Sequence, residues 1–364
     1  MIWIDIATPK YAMFFGIMYP ELIRRGHQVL VTTRSSPGYT EAVDILRFLQ
    51  IPHQVLGNYG GATTPEKFRA RLSRQQEMLK LFETTGQPRV LFSGTVVDSV
   101  QVAFGLGMKV VSFADTPSTT VPGDWQVPSR LTTVARLTLP FSSLVFYPFI
   151  MPSSMFDNLA LHPDQLIPYD FIDVCLWMDR ITADPAKDFR KKYGLDLQKP
   201  TILIREEEFK AHYVKEKIPV LYQAIHQIAK DVRANLVIIP RYESAPLKAE
   251  FSNIAHIIEE KIRPEELYPF IDLLIGGGGT MNLEAVYFGI PTISTRSIWL
   301  YHDQYLMKNH LMHWTNDPDE VVRLSKMLLG TRVEARPFFS RGEKSFRLPL
   351  DRIEHLRPEG LEKK

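Results

Sequence analysis

Short, continuous apolar runs recur along the chain, separated by stretches in which apolar positions return every three or four residues. MIWIDI is followed by a helical stretch from about Ala12 to Arg25, then by QVLVTT and a second helical stretch from Thr40 to Gln50. RVLFSG, KVVSFAD and SLVFYP continue the alternation. Apolar runs bounded by polar turns mark strands buried on both faces, and their alternation with amphipathic helices predicts a parallel sheet covered by helices. Between Pro163 and Lys199 the pattern lapses into Pro-, Asp- and Lys-rich sequence, and TILIR, NLVIIP, AHIIEE, DLLIGG and PTIST then restart it. Two doubly wound sheets joined by a linker near Pro168 to Pro185 account for the interruption. The expected division is a first Rossmann-like domain over 1–168, a second over 169–330, and a C-terminal extension over 331–364 packing back on the first. Ligands of open α/β sheets bind beyond the carboxyl ends of the strands. The positions to search are therefore Thr8 to Lys10, Ser93 to Asp98, Asp115 to Thr119, Arg205 to Glu208, Arg241 and Gly276 to Thr280.

Composition narrows the partners. With 364 residues, 45% of them apolar and 23% charged, the chain can build two ordinary globular cores. The net charge of +2 comes from acids and bases mixed along the chain, so no basic block is available to neutralise a nucleic-acid backbone. The single cysteine, Cys175, forms no internal disulfide, and no His or Cys cluster has zinc-ligand spacing. This reads as a cytoplasmic protein without a metal site or cofactor. MIWIDI reaches an Asp after a few residues and reads as a first strand, not as a signal peptide. LTLPFSSLVFYPFIMP is broken by Pro140, Pro148 and Pro152 and is too short to span a bilayer. The Phe and Met residues from Leu139 to Phe156 suit either a core or peripheral contact with the inner face of a membrane.

The most informative segment is DLLIGGGGTMNLEAVYFGIPTIST, a buried strand, four glycines, and a helix ended by Gly289 and Pro291. Glycines at a strand-to-helix turn let a ligand approach the backbone, and the first helical N–H groups and the helix dipole favour an anion. Gly277, Gly278, Gly279 and Thr280 are the expected phosphate cradle. Glu284, one turn further on, is placed to accept from a ribose. The plainer alternative is a tight turn whose glycines serve helix–sheet packing only. No Gly-Lys-Ser/Thr follows, and the glycine spacing does not fit a dinucleotide fingerprint, which argues against a Walker A site and a dehydrogenase.

This arrangement resembles the C-terminal-lobe nucleotide site of GT-B proteins such as the murein glycosyltransferase and the UDP-N-acetylglucosamine 2-epimerase. More of the chain, through WIDIATPKYAMFF, GHQVLVTTR, VAFGLGMKVVSFADTP, IIPR, GGGGTMNLEA and TISTR, resembles the prokaryotic family DUF354. The resemblance implies a GT-B fold of the α/β class, two Rossmann-like domains facing each other across a cleft that holds a nucleotide-sugar. Asp303 and Gln304 match a pair that holds sugar hydroxyls in GT-B transferases, with helix capping by Asp303 as the alternative. Lys10, which follows Thr8 in the first turn, stands where the family pattern has His. As a cation it would face phosphate or carboxylate, with a snorkelling surface lysine as the alternative. Asp115 and Asp98, at neighbouring strand ends, are the acid–base candidates, with helix capping as the alternative for each. Arg205 and Arg241 could reach the diphosphate, or Arg205 could pair with the acidic run Glu206 to Glu208. Gly26 and His27 read as a helix C-cap.

The expected function is metal-independent glycosyl transfer from a nucleotide diphosphate sugar, UDP-linked, to a glycan or lipid-linked acceptor of the cell envelope. A 2-epimerase or hydrolase acting on the same donor, and a nucleotide-sugar-binding module without chemistry, are the alternatives.

Overall fold

The computed structural model describes residues 1–61, 63–120, 122–123, 130–207, 220–354 and 356. The chain forms two compact units, one of residues 1–117, 131–177 and 342–364, the other of residues 118–130 and 178–341.

The first unit is built on a seven-stranded sheet: β1 (Ile2–Ile6), β2 (Val29–Thr33), β3 (Gln54–Val55), β4 (Val90–Ser93), β5 (Lys109–Phe113), β6 (Leu144–Pro148) and β7 (Leu166–Tyr169). Their order is β3-β2-β1-β4-β5-β6-β7, every pair parallel, with Ile4 of β1 opposite Val31 and Phe92. Every residue of β1 is buried, as a strand covered by helices on both faces requires. On one face Trp3, Leu91 and Val110 meet Met78 and Phe82 of the helix Thr64–Thr85, with Trp3 edge-on to Phe82 at 4.9 Å. On the other, Phe14 and Phe15 of the helix Pro9–Arg24 pack edge-on against Phe113. Gly26 ends that helix at φ +82°, a conformation open to glycine without strain. The helix Arg347–Glu354 belongs to the same unit: Phe346 meets Phe14 at 4.9 Å, and Arg25 pairs with Asp351 and Glu354 at 2.8 and 2.9 Å. Residues 355 and 357–364 of the expected extension lie outside the described residues.

The second unit repeats the design with β8 (Thr201–Arg205), β9 (Asn235–Ile239), β10 (His256–Ile257), β11 (Leu273–Gly276), β12 (Thr292–Ser294) and β13 (His313–Trp314). The order is β10-β9-β8-β11-β12-β13, again parallel throughout. Ile202, Ile204, Ile238, Leu273, Ile275 and Ile293 form its core with the helices Val220–Asp231 and Pro318–Leu328.

The apolar runs read as strands are strands. Three short edge strands, β3, β7 and β13, escape that reading because little about them is continuously apolar: both residues of β3 are exposed and β7 carries Pro168. The first part of the stretch read as a linker is packed, with Tyr169, Phe171, Ile172, Asp173, Val174 and Cys175 all buried, and the chain passes from one unit to the other between Trp177 and Met178, within that stretch. In both sheets the order reverses beside the first strand, between β1 and β4 and between β8 and β11. Those reversals open a crevice where doubly wound folds bind ligands.

Candidate functional site

In the second unit the glycine turn lies at this reversal. Its four glycines divide into two pairs with different duties. A Cβ on Gly276 would stand 2.4 Å from the Arg205 carbonyl oxygen, and one on Gly277 would stand 2.3 Å from Glu207 Cβ, so this pair is required by the chain leaving β8. Gly278 is the N-cap of the helix Gly279–Tyr287, and neither it nor Gly279 is crowded: the nearest atom to a Cβ on either is 3.5 Å away. On Gly279 that nearest atom is Nη1 of Arg296. A guanidinium thus stands beside the unblocked start of a helix, two features that both favour an anion. Thr280 is half-buried in the first turn.

Arg296 follows β12 and is 5% exposed. Its Nη1 donates to Asp303 Oδ2 at 2.6 Å, and the same oxygen accepts from the Leu300 N–H at 2.8 Å. Asp303 is therefore a clamp for Arg296 and a helix cap, the alternative expected for it. Gln304 donates to Thr120 Oγ1 at 2.9 Å. Glu207 accepts from the Ser297 N–H and hydroxyl, both at 2.8 Å, and burial pushes its carboxyl above the ordinary range despite those bonds.

Glu284 is buried in that helix, where it accepts from the hydroxyl of Tyr268. Burial first, then the carboxylate, raises the Tyr268 hydroxyl well above its usual range, so the phenol stays a donor. Arg205 turns its Nη1 to the carbonyls of Ile239 and Pro240 at 3.1 and 2.5 Å. Glu206 instead accepts from the Tyr222 hydroxyl and, at 2.9 Å, from the Arg241 N–H. Arg241 is exposed, and Glu208 lies outside the described residues.

The first unit treats its reversal differently. Thr8, exposed, is the N-cap of the helix Pro9–Arg24 and makes no side-chain cap bond. Lys10, in the first turn, sends its ammonium between the carboxylates of Asp115, just past β5, and Asp173. Tyr11 donates to Asp115 Oδ1 at 3.0 Å and to the Phe113 carbonyl at 2.6 Å, and Tyr169 donates to Asp173. The ammonium also lies 4.4 Å from the Tyr11 ring centre. Burial alone would lower the Lys10 pKa, but Asp115 and Asp173 outweigh it and hold the ammonium above its ordinary value. Lys10 is thus engaged by carboxylates of its own unit, the second of the two kinds of partner expected for it. Asp173 was missed because it lies in the stretch read as a linker.

Asp98 belongs to a second buried network. Arg74, fully buried, reaches Asp5 at 2.6 Å and Asp98 at 3.2 Å, while Arg71 and Arg34 approach Asp98 at 3.3 and 3.6 Å. Burial opposes the Arg74 charge, but Asp5 and Asp98 raise its pKa. Asp98 is thus shared by three guanidinium groups of its own unit. Arg74 carries no sequence signal, since it sits mid-helix among other charged residues. Among the described residues no group of three or more His, Cys, Asp or Glu side chains is placed to hold a metal ion, and no helix is long and apolar enough to cross a membrane.

Two doubly wound sheets, each with a strand-end site at its reversal, define a protein of GT-B fold. The UDP-N-acetylglucosamine 2-epimerase of Methanocaldococcus jannaschii in complex with UDP-GlcNAc and UDP shares the fold with a TM-score of 0.70 at 14% identity, over 91% of this chain and 93% of the other. The Neisseria meningitidis 2-epimerase bound to UDP-GlcNAc gives 0.69 at 16% identity over 90% of each chain. The spinosyn rhamnosyltransferase SpnG complexed with thymidine diphosphate gives 0.53 at 16%, over 90% of this chain and 91% of the other. The chain belongs to the DUF354 family, described as proteins of unknown function, whose model matches residues 1–357. An uncharacterized protein of Methanocaldococcus jannaschii, MJ0665, is 25% identical over 337 residues, 91% of this chain and 92% of that one.

Proposed function

We propose that the protein transfers a glycosyl group from a nucleoside-diphosphate sugar, UDP-linked, to an acceptor hydroxyl. The observation that carries this reading is the Arg296 guanidinium beside the open start of the helix Gly279–Tyr287. There the helical N–H groups and a fixed cation can take the charge that develops on a departing diphosphate. Similarity of fold to proteins whose structures hold UDP, UDP-GlcNAc or thymidine diphosphate agrees with such a ligand.

The first unit supplies a proton acceptor. Two carboxylates and one ammonium leave the buried Lys10 network one negative charge in excess, so it can take up one proton and become neutral. Asp115 is the accessible member, its side chain 12% exposed against 3% for Asp173. In the proposed step the bond from the anomeric carbon to the β-phosphate oxygen breaks, and its electron pair leaves with the diphosphate. The acceptor oxygen bonds to the anomeric carbon, and its proton passes to Asp115 while Lys10 stays paired with Asp173.

A 2-epimerase reading is favoured by the higher TM-scores of the 2-epimerases, and products separate the two. Epimerisation returns a nucleotide-sugar without an acceptor, whereas transfer releases UDP in proportion to glycosylated acceptor. The direct test is calorimetry with UDP, UDP-GlcNAc and thymidine diphosphate on wild type and Arg296→Lys. The substitution keeps a charge for Asp303 but loses the planar fork, so UDP affinity is expected to fall about tenfold to a hundredfold. Absence of nucleoside-diphosphate binding by the wild type would sink the proposal.

A further inference from the structure

Beside the Asp98 network, the first unit holds a cavity of about 670 Å³ at the exits of β2 and β3, where the helix Thr64–Thr85 begins. The residues that matter are Ser36, Tyr39, Asn58, Tyr59, Glu66 and Arg69. Its size falls within the range of roughly 300–1,000 Å³ usual for small-molecule sites.

The lining is fixed on one side and unsatisfied on the other. Tyr59 is locked: its hydroxyl donates to the Ala7 carbonyl at 2.8 Å, its N–H to Ser36 Oγ at 2.9 Å, and the Arg34 guanidinium stacks 4.4 Å from its ring centre. Tyr39 leans on it at 38° with ring centres 5.5 Å apart and is itself 39% exposed. Glu66 is held by the Thr63 N–H and hydroxyl at 2.9 and 2.8 Å. The Asn58 carbonyl oxygen accepts from the Gly60 N–H at 2.8 Å, which turns its amide NH₂ to other use. Arg69 is exposed and makes no hydrogen bond or ion pair with any described residue.

We infer that this cavity binds a sugar ring bearing an anionic substituent, a carboxylate or a phosphate. The tilted contact between Tyr39 and Tyr59, with Arg34 over Tyr59, leaves no parallel slot for a planar base. It leaves one open aromatic face, which suits the C–H face of a pyranose. The Asn58 amide and the fixed Glu66 carboxylate offer a donor and an acceptor for ring hydroxyls, and Arg69 offers a charged fork for the anion. Naming the occupant as the acceptor rests on the glycosyl-transfer reading, whereas the occupancy itself does not.

The test is ligand-observed NMR titration of the full chain with glucuronate, glucose 6-phosphate, glucose and UMP, on wild type, Arg69→Ala and Tyr39→Ala. Both substituted residues are exposed, so the variants should fold. At least one anionic sugar is expected to bind about tenfold more tightly than glucose, Arg69→Ala should erase that preference, and Tyr39→Ala should weaken every sugar. Which anionic sugar binds better assigns carboxylate or phosphate. Failure of both to bind, affinities unchanged in the two variants, or UMP displacing the sugars through the same residues would each overturn the inference. UDP titrated in parallel reads the second unit. Sugar binding without UDP binding leaves the inference standing and removes the transfer reading, and UDP binding without sugar binding does the reverse.

Discussion

The two sheets reverse strand order at the same relative place, yet one reversal is filled by side chains and the other is kept bare. After β4, a Cβ on Gly94 would stand 2.2 Å from the Tyr11 ring, so that glycine exists to admit an aromatic plug whose neighbour Lys10 is enclosed by two carboxylates. After β11, Gly276 and Gly277 absorb the crossing chain, while Gly278 and Gly279 leave the helix start open beside Arg296. Topology makes a crevice in both units, and the residues of the turn decide whether it is filled by side chains or left open.

The sharpest way to break this comparison is to disable the first site and ask whether the second notices. Asp115→Asn should lower turnover by about 10² to 10⁴-fold with donor affinity unchanged, because a proton acceptor acts on the acceptor hydroxyl in the transition state. Single-turnover rates beside calorimetric UDP affinity read both. A wild-type rate would reduce Asp115 to a structural partner of Lys10. Lys10→Met tests the same network through stability. Leaving two buried carboxylates without their cation should cost about 3–5 kcal/mol at neutral pH by denaturant unfolding. Because the folded Lys10 pKa is raised, the stability it contributes is present below its unfolded value of 10.5 and is lost as pH rises through the folded value. Above neutral pH the gap between wild type and variant should therefore persist into the alkaline range and close there. A gap that closes between neutral pH and pH 9 would mean that another group carries the effect.

The glycine pairs sharpen the other half. Gly279→Val puts a side chain where phosphate would lie but meets only ordinary contacts, so UDP affinity should fall by at least about tenfold with melting temperature little changed. Gly277→Ala should do the opposite, costing about 1–3 kcal/mol of stability through the clash with Glu207 while folded molecules still bind UDP. Thermal melts and calorimetry on the pair give a crossed pattern. Parallel losses in both variants would mean that the four glycines are one packing device.

What the sequence showed depends on whether a residue's partner is local. The strands β1, β2, β4, β5, β6, β8, β9, β11 and β12 are legible because burial on both faces writes continuous apolar runs. The glycine turn is legible as a turn because a chain passing this close to the end of β8 needs glycine in consecutive places. Asp173, Arg74 and Arg296 are not, since each acquires its role from residues brought close by the fold: Arg74 meets Asp5 across 69 positions, and Lys10 meets Asp173 from the far edge of the sheet. Asp115 stands out in the sequence because a carboxylate just past a strand has few packing reasons to be there. Asp98, in the same kind of place, shows the limit of that logic, because the arginines that engage it come from other elements.

The smallest expected effect concerns Glu284, where donor binding and internal structure compete for one carboxylate. Its Oε2 accepts from the buried Tyr268 hydroxyl, the partner with which a ribose hydroxyl would share the carboxylate. If Tyr268 only positions the carboxylate, Tyr268→Phe removes one hydrogen bond, costing about 0.5–1.5 kcal/mol of stability, and shifts UDP affinity by no more than about threefold. Glu284→Gln keeps the shape, and its side-chain oxygen can still accept from Tyr268. It weakens the acceptor offered to the ribose, so UDP affinity should fall several-fold and affinity for inorganic diphosphate, which has no ribose, should not change. Calorimetry with both ligands on both variants decides the matter. Equal losses for UDP and diphosphate would mean that Glu284 acts on the helix start as a whole, and no loss in either would leave it as the buried partner of Tyr268.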